Sequence, residues 1–229
     1  KVVACRWVRL FCERHKRDLK TGRKRGIYFD RDAAQHAIEF YQFLHHSKGK
    51  WAGKTIYLEP WQQAIVWVLF GWQRRKTRTR RFRSGYVEIA RKNGKTTMAS
   101  GLALYMMLAD GEAGAEVYSA ATKRDQAKLA WDEAGRMVKA SPYLRQHITV
   151  HKDKIFLKWD QASKYVPLGR DSDTMDGLNV HCAIVDELHA HRTSEIWDVL
   201  ETGTGARTQA LMFGITTAGF NQASFCYER

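Results

Sequence analysis

Tyr86-Val87-Glu88-Ile89-Ala90-Arg91-Lys92-Asn93-Gly94-Lys95-Thr96-Thr97 reads as a short β run, a sharp basic turn and the start of a helix. The turn ends as a phosphate-binding loop ends. In the pattern GxxxxGK[ST], glycine brings backbone amides close to phosphate, lysine reaches the β- and γ-phosphates, and the hydroxyl holds Mg²⁺. Gly94, Lys95 and Thr96 supply that end, whereas Ile89 stands where the first glycine is usual. The signature is therefore degenerate at its start. Gly94 tolerates unusual dihedrals because it has no side chain. The amides after it open a helix, and a helix N-terminus favours anions. A lone Gly-Lys-Thr is often only a basic turn before an ordinary helix. Here the β run precedes it, and Lys95 to Ala109 follows with Met98, Leu102, Tyr105 and Met106 at helical spacing.

Val180-His181-Cys182-Ala183-Ile184-Val185-Asp186-Glu187 is the second stretch with chemistry. A buried strand that ends in two acids puts them at the carboxyl edge of a sheet, where ligands bind in open α/β folds. Asp186 is placed to support the Mg²⁺ shell and Glu187 to orient or deprotonate the attacking water. Taken alone, the two acids equally suit a cap on the segment that follows. The phosphate loop on the same edge favours the catalytic reading.

The rest of the chain alternates. Glu116 to Ala121 reads as strand, Arg124 to Lys139 as helix, and Lys154 to Trp159 with Tyr165 to Leu168 as a hairpin region. Ser194 to Glu201 reads as helix and Leu211 to Ile215 as strand. Strands alternating with helices predict an α/β fold with a mostly parallel sheet flanked by helices. Ahead of it, Lys1 to Asp30 reads as a charged, irregular arm. Asp30 can cap a helix from Arg31 to about Leu44, and Pro60 can open another to Phe70. The predicted division is an N-terminal arm and helical layer over residues 1–53 and a P-loop domain over 54–229.

Lys and Arg number 38 against 24 Asp and Glu, a formal net charge of +14. Such a balance favours polyanions, whether nucleic acid or a phosphorylated ligand. Arg74 to Arg83 is the densest basic stretch and the best candidate for a non-specific phosphate-backbone contact, though it also suits a solvated loop or a subunit contact. The four cysteines make no CxxC pair. Cys5, Cys12 and His15 fall short of a full zinc set, and Cys182 reads as a core residue in a reducing compartment. No apolar run reaches the roughly 18 residues of a membrane span, and no signal core opens the chain.

Three further features are less decided. Gln62 can read an adenine edge and Trp61 or Tyr57 can pack on the base, or the stretch is a helix start with an exposed Gln62 amide and a core Trp61 indole. Thr216, Thr217 and Gly219 end the last strand and can sense a γ-phosphate, or form an ordinary glycine turn. Phosphoryl transfer benefits from an arginine; Arg91 can act within its own subunit, Arg207 across a subunit boundary, and Arg170 and Arg124 compete.

Leu58-Glu59-Pro60-Trp61-Gln62-Gln63, the Ala90 to Thr97 loop, Ser119-Ala120-Ala121-Thr122-Lys123-Arg124-Asp125-Gln126-Ala127, the Asp176 to His191 stretch and Gly205 to Gly219 occur in that order. This set resembles the large terminase subunit of tailed double-stranded DNA phages, especially the HK97-like group, from about Tyr28 to Tyr227. The resemblance implies a P-loop ATPase of the ASCE (RecA-like) class acting on ATP with Mg²⁺. It implies a motor that drives double-stranded DNA into a procapsid in the host cell cytoplasm. Its partners would be the portal protein, the small terminase subunit and a homo-oligomeric ring, typically a pentamer. By position, Gln62 (beside Trp61) matches the adenine reader, and Arg91, Lys92, Asn93, Gly94, Lys95, Thr96 and Thr97 the phosphate loop. Asp186 matches the metal carboxylate, Glu187 the catalytic one, Thr216, Thr217 and Gly219 the coupling motif, and Arg207 the finger acting in trans. The family's nuclease would lie beyond Arg229, so ATP hydrolysis without DNA cleavage is expected of these residues. Asp171, Asp173 and Asp176 read as a loop rather than a nuclease centre. A helicase-like DNA-dependent ATPase is the main rival, and a basic binding module with a vestigial nucleotide site is the second.

Overall fold

The structure, a computed structural model, describes residues 3–169, 177–191, 193–219 and 225–228. It divides into two compact units: Lys1–Ile38 with Glu59–Phe82, and Glu39–Leu58 with Arg83–Arg229.

The first unit holds helices α1 (Arg6–Thr21), the start of α2 (Arg31–Glu39) and α3 (Pro60–Gly71). It also holds two short strands, β1 (Ile27–Phe29) and β2 (Trp72–Arg74). These strands pair antiparallel, with Ile27 opposite Arg74 and Phe29 opposite Trp72. Their apolar centre is Ile27, Val68 and Trp72, covered by Phe11, Phe29, Trp67 and Phe82. The expected irregular arm is instead a sixteen-residue helix, α1. Its inward stripe, Phe11, His15 and Asp18, has helical spacing but only one apolar member. The Trp72 indole donates to His15 Nδ1 at 3.0 Å, and Asp18, 1% exposed, accepts from Arg25 and Arg81. Sequence alone does not name the partners of a face held by a histidine and a carboxylate. The basic stretch after Gly71 is likewise no uniform linker. It opens in β2, Arg80 is buried over the Phe70 ring, and Arg81 is spent on Asp18. The α3 start follows its sequence: Pro60 occupies the first turn, and Glu59 and Gln62 form a capping box.

The second unit is built on a seven-stranded sheet. Its strands are β3 (Ser84–Glu88), β4 (Glu116–Ala120), β5 (Ile148–Val150), β6 (Ile155–Leu157), β7 (Lys164–Leu168), β8 (Val180–Asp186) and β9 (Leu211–Thr216). The order across the sheet is β3-β9-β8-β4-β7-β6-β5. From β3 to β7 the pairing is parallel, and β7, β6 and β5 are antiparallel. The predicted hairpin is present, with β5 as an additional edge strand; three residues carry too little alternation to be seen in sequence. Helices α4 (Lys95–Leu108), α5 (Arg124–Ala140), α6 (Leu144–His147), α7 (Glu195–Thr202) and α8 (Phe225–Glu228) complete the unit. Ile196, Trp197 and Leu200 of α7 pack with Ala183, Val185 and Met212. The predicted helix after Asp30 becomes α2 followed by a 3₁₀ turn, Phe40–Phe43, which belongs to this second unit. The Tyr41 hydroxyl there donates to Met98 O at 2.7 Å, and Leu44 is buried while Phe43 is 45% exposed. No helix among the described residues is long and apolar enough to cross a membrane.

Candidate nucleotide site

Parallel pairing fixes which residues can meet. β3, β9 and β8 run the same way as neighbours, so whatever follows each of them emerges at one edge. The loop of Ala90 to Gly94 follows β3, Glu187 follows β8, and Thr217 follows β9. β9 lies between the strand of the phosphate loop and the strand of the acids, so Thr216 and Thr217 stand between the two halves of the site. Ile89 N donates to Thr216 O at 3.0 Å, extending the β3/β9 ladder to the loop's start.

The loop then turns through two left-handed residues, Lys92 at φ 66° and Gly94 at φ 74°. Gly94 caps α4 in that conformation, which glycine adopts without a Cβ penalty. Asn93 closes the turn from inside: its amide nitrogen donates to Ala90 O at 3.1 Å and Arg91 O at 3.2 Å. Arg91, Lys92, Asn93 and Gly94 are exposed, and Lys95, Thr96 and Thr97 are half-buried. Ser100 Oγ donates to Thr96 O and Ala130 O, each at 2.7 Å, pinning the first turn of α4 to α5.

Lys95 is the centre of the geometry. Its ammonium is buried, has no hydrogen-bond partner, and lies 3.5 Å from Glu187 Oε1. A buried cation left short of acceptors fits an anionic ligand laid across the α4 N-terminus. Glu187 sits at φ 50°, a strained position for a non-glycine residue and one that recurs at functional sites. Its amide donates to Asp186 Oδ1 at 2.8 Å, and its Oε2 accepts from Thr217 Oγ1 at 3.2 Å. Burial pushes the Asp186 carboxyl above its ordinary value; the Glu187 amide and the Lys95 charge act the other way without cancelling it. One buried carboxylate, with the Lys95 charge acting on it and the Thr96 hydroxyl next along the loop, suits Mg²⁺, which keeps few protein ligands and takes the rest from phosphate and water.

Two histidines after the acids had no role assigned from sequence. His189 Nδ1 lies 2.8 Å from Thr216 Oγ1 and 3.1 Å from Glu187 Oε2, and its amide donates to Thr216 Oγ1 at 3.1 Å. It therefore joins β8 to β9 at this edge. Gly219 lies against it: a Cβ there would come within 3.0 Å of His189 Cβ. His191 Nε2 is 3.3 Å from Asp186 O, and burial lowers the His191 pKa. The signal available was the His-Ala-His string directly after Asp186-Glu187-Leu188.

Of the remaining expected residues, Arg207 stands away from this edge. Arg207 pairs with Glu112 at 2.8 Å and donates to Ala113 O at 3.1 Å and Gly114 O at 2.5 Å. Those partners precede β4, so Arg207 stands at the amino edge of the sheet. A strand's length, about 17 Å, separates the two edges. Gln62 and Trp61 are in the first unit. Gln62 is buried, and its amide oxygen is taken by Glu59 N at 2.9 Å. Arg170, Asp171, Asp173 and Asp176 fall outside the described residues, as does the Arg124 side chain.

A family model described as terminase large subunit, ATPase domain, matches residues 60–229. The terminase large subunit of Enterobacteria phage HK97 is 27% identical over 181 residues, covering 77% of this chain and 34% of that protein. Protein YmfN of Escherichia coli (strain K12) is 50% identical over 54 residues, 24% of this chain and 12% of that one. The crystal structure of the HK97 bacteriophage large terminase superposes with a TM-score of 0.70 at 24% identity. That alignment covers 83% of this chain and 39% of the other, and it establishes likeness of fold. The chain thus spans about a third of the HK97 relative's length.

Proposed function

We propose, because this chain belongs to the terminase large-subunit ATPase-domain family, that it hydrolyses ATP to move double-stranded DNA. The observation that carries the reading is the buried, under-bonded Lys95 ammonium between the phosphate loop and Glu187. Gly94 to Thr97 hold the phosphates, with Lys95 on the β- and γ-oxygens. Thr96 and Asp186 would hold Mg²⁺, which would supply positive charge to offset that of the phosphates. Glu187 orients and deprotonates the attacking water. Thr217, Thr216 and His189 then report its state to β9, with Gly219 packed against His189.

The wider assignments rest on the resemblance. They are DNA entry into a procapsid through a portal protein, recruitment by a small subunit, a ring of copies, adenine reading by Gln62 with Trp61, a single P-loop domain over 54–229, and an arginine acting in trans. Arg207 supplies such a finger only by giving up Glu112, so exposed Arg91 is the simpler candidate, acting in cis. ATP turnover with and without duplex DNA tests the reading. Lys95→Ala should cut turnover about 10²–10³-fold while leaving the melting transition in place. Equal turnover in wild type and Lys95→Ala would sink it.

A further inference from the structure

The basic charge of this protein is not spread evenly. Lys1–Ile38 and Glu59–Phe82 contain 17 Lys and Arg against 5 Asp and Glu, a net +12. The second unit, with 21 against 19, carries the remaining +2 of the total +14. The unit that holds the phosphate loop is therefore near neutral, and the attraction for polyanions belongs to the other one.

Within the first unit the structure contains a cavity of about 540 Å³ whose lining includes Arg23, Arg31, Arg75 and Arg78, with Tyr28 and Asp18. The lining acid is already spent. Asp18 is buried beneath Arg25 and Arg81; burial alone would raise its pKa, but hydrogen bonds and charge from those arginines hold it below the usual carboxylate value. It stays ionised and pairs with arginines other than the four. Arg23, Arg31 and Arg75 are exposed and make no ion pair among the described residues. Arg78 is held by the Tyr28 ring, 5.1 Å from its centroid, and donates to the Tyr28 hydroxyl at 3.0 Å. A guanidinium stacked on a ring still has further N–H donors to offer a ligand. Four guanidinium groups around one concavity present paired donors matched to phosphate oxygens.

We propose that this arginine pocket is a phosphate site that grips the phosphodiester backbone of nucleic acid, apart from the nucleotide site. The proposal deepens the reading of the chain as a DNA motor and rests on that reading for the identity of the polyanion. Arg80 and Arg81, although central in the basic stretch, take no part, because one is buried over Phe70 and the other is bound to Asp18. The grip reads no bases, since phosphate contacts position a duplex without specifying sequence.

The test measures binding of a labelled mixed-sequence duplex to the 229-residue chain, without nucleotide, across salt concentration. Removing one neutralised phosphate lowers the slope of log K against log salt by roughly 0.9. Arg23→Ala with Arg75→Ala should therefore lower it by about 1.8 and weaken binding at least tenfold at low salt. Arg6→Ala with Arg9→Ala removes the same charge from exposed positions that do not line the cavity, and should change the slope less. Equal effects from both pairs would mean diffuse attraction and overturn the pocket. A third arm titrates inorganic phosphate and follows melting. Saturable stabilisation that disappears in the Arg23/Arg75 variant, with duplex binding unchanged, would assign the site to a free anion and overturn the nucleic-acid proposal. No arm depends on ATP turnover, so failure here is separable from failure of the ATPase reading.

Discussion

Lys95 Nζ lies 3.5 Å from Glu187 Oε1, although the two residues follow strands that are not neighbours. β9 separates those strands, and its end supplies Thr217 to the same carboxylate. A phosphate that takes up the lysine's charge competes directly with Glu187 for it. In the proposed reaction the carboxylate then becomes available to a water while still anchored by Thr217. Glu187→Gln keeps the shape and the Thr217 contact but removes the base. ATP affinity should stay within a few-fold of wild type while turnover falls about 10²–10⁴-fold, read by equilibrium binding and steady-state hydrolysis. Loss of affinity in step with turnover would make Glu187 a binding residue.

Asp186 costs the fold stability. Burial raises its pKa in the folded state, so the folded chain takes up its proton more readily than the unfolded one. Stability therefore falls as pH rises from the ordinary carboxylate value, 3.8, through the raised folded value, and stays lowered above it. Asp186→Asn should melt at the same or higher temperature at neutral pH while losing Mg²⁺-dependent turnover. A clear drop in melting temperature would show that the carboxylate is a structural partner.

Arg207 holds the amino edge of the sheet together through Glu112, Ala113 and Gly114. Arg207→Ala should destabilise the chain by about 2–3 kcal/mol, since it strips a mostly buried pair of its cation. For a domain of this size that is a fall of about 4–12 °C in melting temperature. Unchanged melting with turnover abolished would instead favour its action on a neighbouring site.

The first unit depends on one carboxylate. Asp18 has a depressed pKa, so its contribution is present above 3.8 and is lost as pH falls through the lower folded value. Asp18→Asn should cost about 2–3 kcal/mol at neutral pH, less than a fully enclosed pair because Arg25 is half exposed. It should also flatten the acid limb of the stability profile. A variant as stable as wild type at pH 7 would show that the helix is held by Phe11 and His15 alone.

The α/β order and the shared edge of the phosphate loop and acid pair were legible because they are local. Gly94-Lys95-Thr96 follows a β run, and Asp186-Glu187 ends one. What stayed hidden depends on distant or polar partners. The inward face of α1 is built from a histidine and an aspartate, whose partners Trp72, Arg25 and Arg81 are invisible to periodicity. Arg207 meets Glu112 across 95 positions of sequence. His189 is legible as a residue but not as a link, because its partner Thr216 arrives from a strand 27 positions on. The division of charge between the units could be counted only once the chain's crossing between them was known.

If Lys95 and Asp186 act on one triphosphate, their effects on its affinity cannot be independent. The decisive measurement is the Mg²⁺·ATP dissociation constant across a double-mutant cycle. Lys95→Ala and Asp186→Asn should each weaken binding more than tenfold. The double variant should be weaker than either single by much less than the product of their effects, a coupling above about 0.5 kcal/mol. Strictly multiplicative effects, or wild-type affinity in either single variant, would contradict a shared triphosphate.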